Sequence, residues 1–115
     1  MPRILVLDDE PLIVMMLQDW LTEKGFELVG PAHRLAFALE LIKTERIDAA
    51  ILDVLLGEHD CSPVAVALSE KGIPFIFLTG YGEDCVPLGF NTIPVATKPI
   101  DFVTLEAMLQ KLLSG

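Results

Sequence analysis

The sequence predicts an α/β three-layer sandwich, a parallel five-stranded sheet with helices on both faces. Three observations carry this. Five short apolar runs ("RILVL", "FELVG", "AAIL", "PFIFL" and "PVAT") alternate with stretches of helical pattern. One of them, "FIFL", is apolar at every position, as a strand covered on both faces is. Four of the runs stop at residues able to do chemistry: Asp8-Asp9, Asp53, Thr79 and Lys98-Pro99. Strand ends of like polarity gather along one edge of a parallel sheet, so these residues are expected to meet.

The elements follow in order. Arg3–Leu7 reads as a buried strand. Pro11 to Lys24 reads as a helix, with proline in its first turn and Gly25 as its stop. Ile13, Met16, Leu17, Trp20 and Leu21 form the stripe expected to pack on the sheet, which leaves Leu12, Val14 and Met15 over. Phe26, Leu28 and Gly30 share one side of a short strand whose alternation suggests an edge, and Leu35 to Thr44 is a second helix. Ala49–Leu52 is a central strand ending at Asp53. Pro63 to Lys71 is a third helix closed by Gly72, Pro74–Leu78 a fourth strand and Pro94–Thr97 a fifth. Asp101 caps a last helix carrying Leu105, Met108, Leu109 and Leu112. Right-handed crossovers are expected between the parallel strands. The rhythm breaks between Thr79 and Asn91, where "TGYGEDCVPLGFN" holds three glycines and Pro87. Glycine opposes a helix by about 1 kcal/mol and interior proline by about 3 kcal/mol, so a loop with at most one helical turn is expected.

The length of 115 residues suits one domain, residues 1–115, with a single core. No apolar run is long enough to span a membrane, and "MPRILVLDDE" does not read as a signal peptide, so a cytoplasmic protein is expected. Cys61 and Cys85 fall in expected loops and are read as free thiols. The net charge of −9 repels phosphate backbones and argues against nucleic-acid binding. Part of that charge belongs to the acid cluster, where it would attract a divalent cation.

A cluster of carboxylates, an ammonium and a hydroxyl has a definite chemical use. An aspartate attacking a phosphoryl group brings negative charge against negative charge, and two like charges 4 Å apart repel by about 4 kcal/mol at an effective dielectric near 20. A hard divalent ion offsets this, a lysine holds one phosphoryl oxygen and a hydroxyl donates to another. Each part alone has a plainer reading. Asp8-Asp9-Glu10 could be a helix N-terminal cap, and Asp53 and Thr79 ordinary loop residues. Their joint occurrence at successive strand ends favours the metal-assisted phosphoryl-acceptor site.

These motifs, "ILVLDDEPLI", "AAILDVLLG", "FLTGYG" and "ATKPID", resemble over the whole chain those of a response-regulator receiver domain, the phosphoacceptor half of bacterial two-component signalling. The resemblance implies a flavodoxin-like sandwich with strand order 2-1-3-4-5. It implies that Asp53 is phosphorylated, that Asp9 binds Mg²⁺ (or Mn²⁺) directly and Asp8 mainly through a water, and that the Leu55 carbonyl is a further metal ligand. Thr79 would donate to the phosphoryl group and Lys98 would pair with it, across a Lys98-Pro99 bond often cis in the family. The implied partners are a histidine kinase or histidine phosphotransfer protein, and a downstream protein target. The implied assembly is a monomer or weak dimer.

The sequence also departs from that pattern. Val95 stands where receivers usually carry the aromatic of a rotamer switch, three residues before the lysine. "PFIFLTGYG" resembles instead the FATGUY subclass, with its reduced fourth helix. The loop Gly80–Phe90, with Gly80, Tyr81 and Gly82 beside the site, is expected to order on phosphorylation. Leu55 and Tyr81 could shield an acyl phosphate from water. Leu12, Val14, Met15 and Pro99 are expected to form a docking face for the kinase, methionine being an adaptable contact residue. No output domain is expected after Gly115; if this is the full chain, output is expected through protein contacts, or the domain is a phosphate shuttle or sink. Two alternatives stand beside this. A metal-dependent phosphohydrolase acting on a free substrate would want Asp-x-Asp at one strand end. An interaction module without phosphorylation would not need Asp53, Thr79 and Lys98 intact.

Overall fold

The computed structural model describes residues 1–56, 59–80 and 86–114. β1 (Arg3–Leu7) leads into α1 (Pro11–Glu23), then β2 (Glu27–Ala32) and α2 (Leu35–Thr44). β3 (Ala49–Asp53) is followed by a small hairpin of β4 (Leu55–Leu56) and β5 (His59–Asp60), then α3 (Ser62–Glu70). β6 (Phe75–Thr79), β7 (Val95–Thr97) and α4 (Phe102–Ser114) complete the chain. The five main strands are parallel in the order β2-β1-β3-β6-β7, the doubly wound order that the sequence implied.

The two-residue period of the strands divides the core in two. Leu5, Leu7, Ala50, Leu52, Phe75 and Phe77 face α2 and α3. Ile4, Val6, Ala49, Ile51, Ile76 and Leu78 face α1 and α4. Each fully buried large side chain contributes roughly 1.5–3 kcal/mol, so both helix layers are held by the same three central strands.

The helix boundaries agree with the sequence to within one residue, and Asp101 caps α4 through hydrogen bonds from the Val103 and Thr104 N–H groups at 3.1 and 3.4 Å. The face of α1 is rotated from the expected stripe. Val14 is buried at 6% exposure, whereas Met16 is 37% exposed. At 3.6 residues per turn, Val14 lies about 60° from Leu17 and Met16 about 100° away, so the stripe centred on Leu17 and Leu21 takes in Val14 and sheds Met16. Val14 is therefore a core residue and not part of a docking face. Cys61, expected in a loop, is fully buried as the residue before α3. The β4–β5 hairpin went unforeseen because two-residue strands show no periodicity.

Where a further helix would lie before β7, residues 86–93 form turns and no helix. Val86, Phe90 and Ile93 close the α2/α3 side of the core instead, and the Phe90 ring stands edge-on to Phe75 and Phe77 with both centroids at 6.1 Å. Val95, in register with Phe77, packs against the same cluster. Tyr81, Gly82 and Cys85 lie outside the described residues.

Gly30 shows why edge strand β2 tolerates no side chain midway. Its φ is +97°, and a Cβ there would come within 2.7 Å of the Ala32 nitrogen. Gly25 also has positive φ (+82°) but open space around it. Gly30→Ala is expected to destabilise the fold by at least about 1–3 kcal/mol, and Gly25→Ala by less. Urea unfolding of the two variants checks this, and equal losses would show that the crowding at Gly30 is not resisted by the sheet.

Candidate functional site

The site is assembled by register. Leu7 pairs with Leu52, Asp53 with Leu78 and Thr79 with Thr97. Asp8, Asp53, Thr79 and Lys98 therefore stand in one row along the carboxyl edge of the sheet. Backbone bonds extend the ladders past the strand ends: Asp8 N–H donates to Ala32 O at 3.0 Å, Val54 N–H to Leu78 O at 3.1 Å and Lys98 N–H to Thr79 O at 2.8 Å. The Lys98-Pro99 peptide is cis.

Asp8 and Asp53 continue the strand faces of Val6 and Ile51 and are buried, at 1% and 5% exposure. Thr79, also buried, ends the neighbouring strand. The Lys98 ammonium enters this pocket, 3.3 Å from Asp8 Oδ2, 3.5 Å from Asp53 Oδ2 and 2.7 Å from Glu10 Oε1. Two side chains are held by nearby N–H groups: Glu10 N–H donates to Asp8 Oδ1 at 2.8 Å, and Leu55 N–H to Asp53 Oδ1 at 3.3 Å. His33, in the turn after β2, lies with Nδ1 2.9 Å from the Asp8 carbonyl. A carbonyl only accepts, so Nδ1 carries the proton.

Residues 4–110 match the response regulator receiver domain. The chain belongs to this receiver family. It is 35% identical over 115 residues to the transcriptional activator protein IrlR of Burkholderia pseudomallei, covering 96% of this chain and 50% of that protein. It is 35% identical over 82 residues to the transcriptional regulatory protein PdtaR of Mycobacterium tuberculosis, covering 70% of this chain and 40% of that one. The receiver thus spans about half the length, or less, of these curated relatives. Among solved structures it is similar to SdrG from Sphingomonas melonis Fr1, with a TM-score of 0.87 and 42% identity over 98% of this chain and 97% of that one. It is also similar to a structure of response regulator TrrA in complex with histidine kinase ThkA, with a TM-score of 0.84 and 29% identity over 98% and 99% of the chains.

Within the receiver, Asp8, Asp53 and Lys98 come together as the sequence implied, with Thr79 at the adjacent strand end. Asp9, next in the chain, is exposed, and its charge bears on Asp53. Glu10 also reaches the pocket through Lys98, which sequence reasoning missed. The signal was the third acid of the Asp8-Asp9-Glu10 run, read as a helix cap. Glu10 occupies the N-cap position but its side chain makes no cap hydrogen bond. His33 left no signal at all, because only the β2–α2 turn brings it to Asp8. Leu55 lies in the hairpin. Cys61 N–H donates to Val54 O at 3.0 Å, which makes Leu55–Asp60 a non-hydrogen-bonded pair and leaves the Leu55 carbonyl outside that ladder. Leu12 and Met15 are 69% and 61% exposed on α1, and Pro99, next to Lys98 in the chain, is exposed. Among the described residues no helix is long and apolar enough to cross a membrane.

Among the described residues the pocket is electrostatically unbalanced, with three carboxylates facing one ammonium. Burial pushes the Asp53 carboxyl up to about 7, and the neighbouring Asp8 charge adds to the rise against the pull of Lys98. Burial likewise raises Asp8, partly offset by the Glu10 N–H and Lys98. Burial disfavours the Lys98 charge, yet Glu10, Asp8 and Asp53 together hold its pKa above the ordinary lysine value. Burial, with Asp60 and Asp53 nearby, lifts the Cys61 thiol to about 12, which keeps it protonated and unreactive. Oxygens of Asp8, Glu10 and Asp53 lie within 4.8 Å of one another, and Asp8 Oδ2 is buried with no hydrogen-bond partner, its Lys98 contact being an ion pair only. An all-oxygen, over-charged set of this kind fits a hard divalent cation.

A carboxyl whose folded pKa is raised binds a proton more tightly in the native state than in the unfolded one. Its contribution is therefore present at low pH and is lost as pH rises from about 3.8 to about 7. Without divalent cations, Asp53→Asn is expected to melt at a higher temperature than wild type at pH 8, the difference shrinking toward pH 4. Thermal melts across that range in a chelator test it. An Asn variant no more stable at pH 8 would mean that the Asp53 charge is not strained.

Proposed function

We propose that this receiver accepts a phosphoryl group on Asp53 from a phosphohistidine of a histidine kinase or histidine phosphotransfer protein. The observation that carries the reading is the buried Asp53 carboxyl between Asp8 and the Lys98 ammonium at the sheet edge. In the transfer a carboxylate oxygen of Asp53 bonds to phosphorus, the phosphorus–nitrogen bond breaks, and the departing imidazole nitrogen takes up a proton. Lys98 pairs with a phosphoryl oxygen, and Thr79, at the end of β6, donates its hydroxyl to another. Asp8 and Asp53, with Asp9 and the Leu55 carbonyl at hand, are the groups to hold Mg²⁺ or Mn²⁺. When bound, such an ion neutralises charge between the attacking carboxylate and the incoming phosphoryl oxygens. The protein thus catalyses its own modification and does not turn over a free substrate. Leu55 lies two residues past Asp53, where its bulk would slow hydrolysis of the acyl phosphate. The signal leaves through protein contacts, or the domain serves as a phosphate shuttle or sink.

Incubation with acetyl phosphate and Mg²⁺ is expected to add one phosphate per chain, detected by intact mass. The gain should vanish in Asp53→Asn and with excess chelator. Multiple turnover of small phosphomonoesters would instead identify a phosphohydrolase and overturn the reading.

Exposed Leu12 and Met15 on α1 and exposed Pro99 beside Lys98 support docking of the phosphodonor protein next to the pocket. Leu12→Lys and Met15→Lys are expected to slow phosphorylation by the kinase at least several-fold while leaving the acetyl phosphate rate near wild type. Equal kinase rates in folded variants would remove α1 from the docking face.

A further inference from the structure

Among the described residues Lys98 makes three ionic contacts, and they are unequal. Its ammonium is 2.7 Å from Glu10 Oε1 in a hydrogen bond, but 3.3 and 3.5 Å from Asp8 and Asp53. The shortest contact is made to the acid outside the buried pair: the Glu10 side chain is 56% exposed, that of Lys98 only 12%. Glu10 is free for this because its carboxylate does not cap α1, while its backbone N–H is fixed by Asp8 Oδ1. The bond joins the start of α1 to the β7–α4 turn across 88 residues of chain.

We propose that Glu10 is a positioning residue that competes with the phosphoryl group for Lys98. In the resting domain it draws the ammonium toward the rim of the pocket. Response to phosphorylation requires Lys98 to exchange the Glu10 carboxylate for a phosphoryl oxygen on Asp53. The exchange is an ion-pair substitution with no covalent step, and it releases the β7–α4 turn from the first residues of α1. Glu10 thereby sets how readily the pocket responds. This rests on the receiver reading given above.

The physical basis for the size of the effect is ordinary. A partly exposed ion pair is weak, so its removal changes an equilibrium by a small factor and does not abolish it. Glu10→Gln keeps the shape and removes the charge. With Mg²⁺ and beryllofluoride as the phosphoryl mimic, this variant is expected to bind roughly two- to fivefold more tightly than wild type. The ¹⁵Nζ resonance of Lys98 should differ between resting wild type and resting Glu10→Gln, then coincide once both are saturated with beryllofluoride. Glu10→Asp, which keeps the charge but shortens the reach, should fall between them in affinity. Unchanged or weaker beryllofluoride binding in Glu10→Gln overturns the competition, as does an unmoved Lys98 resonance. If wild type itself shows no beryllofluoride response that depends on Asp53, the receiver reading has failed rather than the role of Glu10 alone.

Discussion

Two aspartates can stand buried side by side at the sheet edge because the Lys98 ammonium reaches both of them. Like charges at such range repel by several kcal/mol, and desolvation adds to the cost of keeping them ionised. Burial pushes both carboxyls above their ordinary range, neighbouring acid charges add to the rise, and the Lys98 ammonium offsets it only in part. The resting pocket is therefore held in a strained electrostatic state. That strain favours added positive charge and makes the position of one lysine decisive.

The sheet supplies the precision this requires. Parallel ladders carry four strand ends to a common edge, and backbone bonds beyond the strands lock the first residue of each loop. Between the two helix layers the central strands have little freedom to slip, because a one-residue shift would exchange the side chains of two different cores. The pocket is thus rigid where Asp8, Asp53 and Thr79 sit. It is adjustable where Lys98 and Glu10 reach in on long side chains from opposite ends of the chain.

On the α2/α3 side, residues 86–93 cover the sheet without a helix. Phe90 stands against Phe75 and Phe77 with Val86 and Ile93 beside it, so an irregular segment seals the core that a helix would otherwise cover. Val95, small where an aromatic is usual, lies in the same cluster. Aromatic bulk on this face therefore comes from β6 and the segment before β7.

By itself the sequence determined the layers, the order of elements and the chemistry-bearing strand ends. Apolar period and turn residues are local properties, and the carboxyl-edge rule turns strand order into proximity. It could not decide which acid of Asp8-Asp9-Glu10 is buried and which reaches Lys98, since three neighbouring carboxylates are alike in a local pattern. Only the tertiary structure buried Asp8, brought Glu10 to Lys98, turned Val14 into the core and brought His33 to the Asp8 carbonyl. Those outcomes depend on helix rotation and on contacts between residues far apart in the chain, which no local pattern encodes.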